Sequence, residues 1–294
     1  MLGYLREAWV FWAAVFERMD KIHMGLIAAG VAFYSMFAVF PGIAAVIALW
    51  SLWFDPNAIM AYGEVADEFL PEGAYDLIDA QIRALTSAGR PSIGWASFVS
   101  FMVATMSARA GVNGLVRGLN AAYGVRAHST VFGFILAYLL TLAIVGISIA
   151  GLATIVVVPI ILTFVELGPL NGWLVAALPW AGMFLIVILG IGILYRYGPN
   201  VKAPRTPVFT WGALFAAILW AAASIAFSTY LGHFNSYNKV YGSIGTVVAL
   251  LMWFYLAGFS VMLGALVNVE LARRKRVLAA REARQAVLAV AHER

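Results

Sequence analysis

The sequence predicts an all-α, polytopic membrane protein: six transmembrane helices, with interfacial amphipathic helices beside them. Three observations carry this. Of the 294 residues, 63% are hydrophobic and 11% charged, against about 45–50% and about 25% in a soluble domain. Apolar runs of the length that crosses a bilayer, about 20 residues, recur along the chain. Basic residues gather in alternate connecting segments, the asymmetry that sets membrane orientation.

The elements follow in order. Residues 1–25 set Trp9, Phe11, Trp12 and Phe16 against Arg6, Glu7, Glu17, Arg18, Asp20 and Lys21. That mixture predicts an amphipathic helix at the membrane surface. The first span is expected over 26–54, with Pro41 near its middle; proline removes a backbone donor and kinks a helix. Residues 55–90 form a hydrophilic, acidic insert. There Asp55, Glu64, Asp67, Glu68, Glu72, Asp76 and Asp79 oppose Arg83 and Arg90. Tyr75, Ile78, Ile82 and Leu85 recur at helical spacing, which predicts one or two short amphipathic helices split at Pro71. The second span, 92–107, is short and calls for snorkelling ends. The third is expected over 130–164, with Pro159 near its far end. The fourth covers 170–194, with Pro179 in its first half, the fifth 207–231 and the sixth 243–269. This gives a membrane domain over 1–275 and a cytoplasmic, basic helical tail over 276–294.

Orientation follows from charge. With the N-terminus inside, 16 of the 19 Lys and Arg fall in cytoplasmic segments. Among them are Arg6, Arg109, Arg117, Arg126, Arg196, Lys202 and the run Arg273–Arg276. Arg83, Arg90 and Lys239 remain outside. Six spans with both termini cytoplasmic satisfy this alternation, and Trp50, Trp53, Trp95, Trp173 and Trp180 fall where an outer aromatic belt is expected. No cleavable signal peptide is evident, since the first apolar stretch begins near Leu26 and is too long. The net charge of +5 is thus explained by topology and does not point to nucleic acid.

The chain offers little for catalysis. It has no cysteine, so thiolate chemistry and disulfides are excluded. His23, His128, His233 and His292 are scattered without metal-ligand spacing. No zinc-hydrolase, serine-hydrolase or phosphate-loop string is present. The expectation is a non-enzyme with no cofactor and no metal. The carboxylates of 64–79 lack the alternation and glycine of a calcium loop and read as a solvated helix face. The six span cores contain no Asp, Glu, Lys, Arg or His, so a buried proton relay is not expected. Milder polar residues such as Thr141, Ser148, Thr154 and Ser260 suit interhelical hydrogen bonds. Ala213, Ala217 and Ala221, and likewise Gly146 and Ala150, repeat at four-residue spacing and read as internal packing seams.

Residues 109–123 carry the most informative pattern. Val112, Leu115, Val116, Leu119 and Tyr123 share one helical face, and Arg109, Asn113, Arg117 and Asn120 fall on another. A short interfacial helix there presents two cations and two amides together. Either the arginines snorkel and meet anionic headgroups non-specifically, or they form a polar mouth for a phosphate or similar anionic head, which a guanidinium binds through two oxygens at once. Arg196 is expected at the same level.

Four stretches in order carry a family resemblance: Ala28-Ala29-Gly30-Val31-Ala32-Phe33-Tyr34-Ser35-Met36-Phe37-Ala38-Val39-Phe40-Pro41, Gly114-Leu115-Val116-Arg117-Gly118-Leu119-Asn120-Ala121-Ala122-Tyr123, Tyr195-Arg196-Tyr197-Gly198-Pro199, and Tyr237-Asn238-Lys239-Val240-Tyr241-Gly242-Ser243-Ile244-Gly245. Together they resemble the YihY/BrkB family of bacterial inner-membrane proteins, once mislabelled ribonuclease BN. The last helix departs from the pattern. Where the family shows Gly-Ala-Glu and then Asn, this chain has Gly264-Ala265-Leu266, keeps Asn268 and places Glu270 one turn on. The resemblance implies an all-helical protein of the bacterial inner membrane, with movement of lipid-like or small polar molecules as the usual suggestion.

The expected function is therefore a transporter or lipid-handling protein. Tyr34, Ser35 and Pro41 would line a cavity. Arg109, Asn113, Arg117, Asn120 and Arg196 would form a cytoplasmic rim, and Tyr237, Lys239 and Tyr241 an outer guard, with Asn268 among the polar groups. Anionic lipid headgroups are the expected partners, and a homo-oligomer is compatible with this. The alternative is a scaffold in an envelope complex, reached through the 55–90 insert. An ion channel is disfavoured because charged filter residues are missing.

Overall fold

The computed structural model describes residues 2–50, 90–127, 129–163, 171–201, 207–233 and 243–292. Every element among them is an α-helix. They are α1 (Leu2–Lys21), α2 (Met24–Trp50), α3 (Arg90–Tyr123), α4 (Thr130–Thr163), α5 (Asn171–Tyr197), α6 (Trp211–His233) and α7 (Ser243–His292). Residues 55–89 of the acidic insert, and Tyr237, Lys239 and Tyr241, lie outside the described residues.

Five stretches are long and apolar enough to cross a membrane: Met24–Gly42, Val131–Gly151, Ala177–Tyr197, Trp211–Tyr230 and Val247–Gln285. They fall on the expected first, third, fourth, fifth and sixth spans. The expected second span lies on α3, which is not among the five. Its apolar run is diluted by Ser97, Ser100, Ser107 and Arg109. Even so, α3 exposes Trp95, Phe98, Phe101, Met102 and Met106, an outward apolar surface that suits lipid and would be costly in water. Residues 109–123 are not a separate short interfacial helix, as the sequence suggested. They complete α3, which runs unbroken for 34 residues. Likewise α7 continues without a break from the last span to His292.

The chain divides into two compact units. The first comprises 1–25, 116–220 and 259–294; the second comprises 26–115 and 221–258.

In the first unit, α4 packs along α5, with a Cβ at Gly190 reaching 3.1 Å from Ile147. Near the start of α6, Ala213, Ala216 and Ala217 are fully buried. There Gly212 and Gly264 let α6 and α7 meet backbone to backbone: a Cβ on Gly212 would lie 2.2 Å from the Gly264 carbonyl oxygen. Of the expected Ala213, Ala217 and Ala221 seam, Ala213 and Ala217 are buried as expected, whereas Ala221 is only partly covered. The Gly146–Ala150 seam is not real, because both residues are exposed and nothing lies within 4 Å of a Cβ at Gly146.

In the second unit, Ala28, Val31, Ala32 and Met36 form the buried stripe of α2, at the spacing of one helical face. A Cβ at Gly114 would meet the Val31 side chain at 3.3 Å, and one at Gly258 would meet it at 3.4 Å. Trp253 Nε1 donates to Ser224 Oγ at 3.2 Å.

Candidate functional site

Polar side chains of the first unit gather at three nodes. The C-terminus of α3 is the first. Gly124 adopts φ +66°; its N–H bonds the Ala121 carbonyl, and the Val125 N–H bonds the Asn120 carbonyl. This is the paired 5→2 and 6→1 closure that ends a helix on a left-handed residue, where glycine carries no Cβ penalty. One turn back, Asn120 is only 3% exposed. Its Oδ1 accepts from the Asn200 backbone N–H at 2.7 Å, and Asn200 Nδ2 donates to the Arg126 carbonyl at 3.2 Å. The segment after α5 is thus latched onto the end of α3. Asn120 Nδ2 is buried with no hydrogen-bond partner among the described residues.

The sequence placed Asn120 on one face with Arg109, Asn113 and Arg117. The structure buries them unequally. Asn120 turns inward with Val116 and Leu119, whereas Arg117 is exposed and Arg109 and Asn113 are intermediate. At 100° per residue the four still fall within about 80° of arc, with Asn120 between Arg109 and Asn113. Asn120 differs because the segment after α5 covers it, placing the Asn200 N–H on its Oδ1. Arg196 is half-buried, its guanidinium 5.6 Å from the Tyr197 ring centroid.

The second node joins α6 to α7. Thr210 caps α6, accepting the Ala213 N–H on Oγ1 at 3.1 Å. Asn268 crosses to it: Oδ1 accepts the Gly212 N–H at 2.8 Å, and Nδ2 donates to Thr210 Oγ1 at 2.8 Å. Tyr195, fully buried, donates its hydroxyl to the Val261 carbonyl at 2.5 Å. These two side chains therefore tie helices together.

The third node was not singled out from sequence. Glu270 is 6% exposed. It accepts from Arg274 Nε at 3.2 Å and lies 3.6 Å from Arg273. Arg274 in turn reaches the Glu7 carbonyl at 3.4 Å and sits 4.9 Å over the Phe11 ring. The sequence signal was Glu270 itself, a carboxylate one residue beyond the expected last span with arginines at i+3 and i+4.

In the second unit, Ser35 points toward α3, its Oγ 3.5 Å from a Cβ position at Gly111. Tyr34 lies on the open side of α2, edge-on to Phe33 at 5.6 Å, and Pro41 is inside the helix and half-exposed. Among the described residues, no three His, Cys, Asp or Glu side chains gather as a metal site.

These features define a polytopic membrane protein, helical throughout its described elements. The family model for the virulence factor BrkB matches residues 15–288, and the chain belongs to that family. It is 31% identical over 260 residues to a putative ribonuclease-like protein, YfkH, of Bacillus subtilis (strain 168), covering 85% of this chain and 90% of the relative. It is 24% identical over 268 residues to a UPF0761 membrane protein of Pseudoalteromonas translucida (strain TAC 125), covering 90% and 86%. No solved structure matches the chain.

Proposed function

We propose that this chain is a non-enzymatic transporter or lipid-handling protein of the bacterial inner membrane, with both termini cytoplasmic, and that it moves an anionic amphiphile. The arrangement along α3 carries this reading. Its N-terminal half exposes Trp95, Phe98, Phe101, Met102 and Met106. Arg109 follows three residues later, then Asn113 and the exposed Arg117. Eight residues of helix separate the two arginines, about 12 Å along the axis. One continuous helix thus offers an apolar strip to an acyl chain and guanidinium groups to a phosphate.

Thr141, Ser148 and Thr154, expected from sequence to bond between helices, bond within their own helices instead. Thr105 and Thr229 do likewise; all five donate to carbonyls four residues earlier, and none of them is ionisable. An apolar strip that leads to arginines suits an amphiphile better than a small inorganic ion.

The test is scrambling of a fluorescent phosphatidylglycerol in reconstituted vesicles. The wild-type chain should accelerate it, and Arg109→Ala with Arg117→Ala should abolish the acceleration while the protein remains folded. Unchanged scrambling in the double variant rejects the rim. Orientation is checked separately with single cysteines at positions 70 and 280, which should label from opposite sides.

A further inference from the structure

We propose that α1 is an in-plane wedge whose Leu5–Trp9–Phe16 edge is seated in the phospholipid headgroup layer, held at that rotation by Arg274. The helix has three sectors. At 100° per residue, Leu5, Trp9 and Phe16 fall within about 40° of arc. They are 67%, 75% and 53% exposed. A second sector faces the protein: Val15 is buried, Trp12 meets Phe215 of α6 with ring centroids 5.6 Å apart, and Phe11 lies under the Arg274 guanidinium. A third carries Arg6, Glu7, Glu17 and Lys21, with Lys21 paired to Glu17 at 2.6 Å. Protein on one side, charge on another and bare aromatic surface between them is the section of a helix lying at a membrane boundary.

The occupant of the bare edge follows from where α1 is tied. Two residues separate its end at Lys21 from Met24, the first residue of a membrane span. Phe215 lies in the second turn of another span, Trp211–Tyr230. Arg274 is one turn beyond the buried Glu270, where the apolar sequence of α7 gives way to Arg273-Arg274-Lys275-Arg276 and the helix continues. All three ties are to helices that carry stretches apolar enough to cross a membrane, close to where apolar sequence meets charged sequence. The headgroup layer is therefore the surface within reach of the open edge. The headgroup layer is also where tryptophan is preferred. Glu270 acts as a positioning residue: it fixes the Arg274 guanidinium, which then holds both the Glu7 carbonyl and the Phe11 ring.

The chain has no cysteine, so single spin labels can be placed without background. Labels at L5C, W9C, F16C and R6C are read by power saturation in vesicles of phosphatidylcholine and phosphatidylglycerol, with oxygen and a nickel chelate as relaxants. The expected result is preferential relaxation by oxygen at positions 5, 9 and 16 and by nickel at position 6. Nickel access at all four sites overturns the seating in lipid. Immobile labels shielded from both relaxants also overturn it, in favour of a protein partner or a second copy. The clamp is tested on the same labels with Arg274→Ala. Position 6 should lose its contrast with 5 and 9 as α1 rolls. Phe11→Leu removes only the ring beneath the guanidinium and keeps this part testable if Arg274→Ala does not fold. Contrast retained in both variants overturns the clamp.

Discussion

The amide of Asn268 sits across the start of α6 and accepts the Gly212 N–H at 2.8 Å. The first N–H groups of a helix have no partner within it, and here one is satisfied by a side chain from another helix. The same amide donates to the capping hydroxyl of Thr210. Asn268→Ala leaves a buried donor unpaired, which costs about 1–3 kcal/mol. The expected outcome is a lower melting temperature in detergent for Asn268→Ala. If Asn268 instead served only a substrate, melting would not move and scrambling alone would fall.

The close approach of Gly212 and Gly264 predicts a sharper loss. A Cβ on Gly264 would lie 2.4 Å from the Gly212 carbonyl oxygen and 2.6 Å from the Ala216 Cβ. Backbone cannot retreat as a flexible side chain can, so Gly264→Ala should exceed the usual overpacking cost of about 1–3 kcal/mol and give little folded protein. Gly146→Ala is the control, because its Cβ meets nothing within 4 Å. Removing a helical glycine there should be neutral or stabilising by up to about 1 kcal/mol. Size-exclusion profiles and thermal melts of the two variants read the contrast directly.

The fold was legible because lipid as solvent demands long apolar helices, and hydropathy reports these without tertiary information. Five spans followed from that alone. The continuity of α3 did not, because serines and arginines dilute its hydropathy, and only packing shows that the helix goes on to Tyr123. The node at Asn268 and Thr210 was half visible: Asn268 stood out as polar, but its partner lies 58 residues away. The Gly146–Ala150 seam failed because small residues at four-residue spacing fit lipid-facing and helix-facing surfaces equally well. Glu270 fell just outside the expected span, where hydropathy does not report that a carboxylate paired with Arg273 and Arg274 is buried.

The latch between Asn120 and Asn200 predicts a smaller effect than the one at Asn268. Asn120→Ala frees the Asn200 N–H, but Asn200 is exposed and that donor can turn to water. The substitution also removes the buried Nδ2, which has no partner among the described residues. Loss and gain offset, so the net cost should stay near or below about 1 kcal/mol, the net value of an ordinary hydrogen bond. Amide hydrogen exchange at Asn200 and its neighbour Val201 should nevertheless accelerate, since the segment loses its anchor on α3. Unchanged exchange there would show that the latch does not hold the segment in solution.

Glu17 gives the pH-dependent case. The hydrogen bond from Lys21, and then the Lys21 charge, hold its carboxyl below the ordinary carboxylate value. A carboxyl depressed in the folded state contributes stability above its unfolded pKa of about 4.3, and that contribution is lost as pH falls through the folded value. The pair is solvent-exposed, so the global melt should not respond; the last turn of α1 should. Wild type and Glu17→Gln are compared at matched pH by hydrogen exchange over residues 17–22. Wild type should be better protected near pH 6, and the difference should vanish near about pH 3, once the carboxyl is protonated. High salt at neutral pH should shrink the same difference by screening. Equal exchange of the two proteins at every pH would show that the ion pair adds nothing to the end of α1.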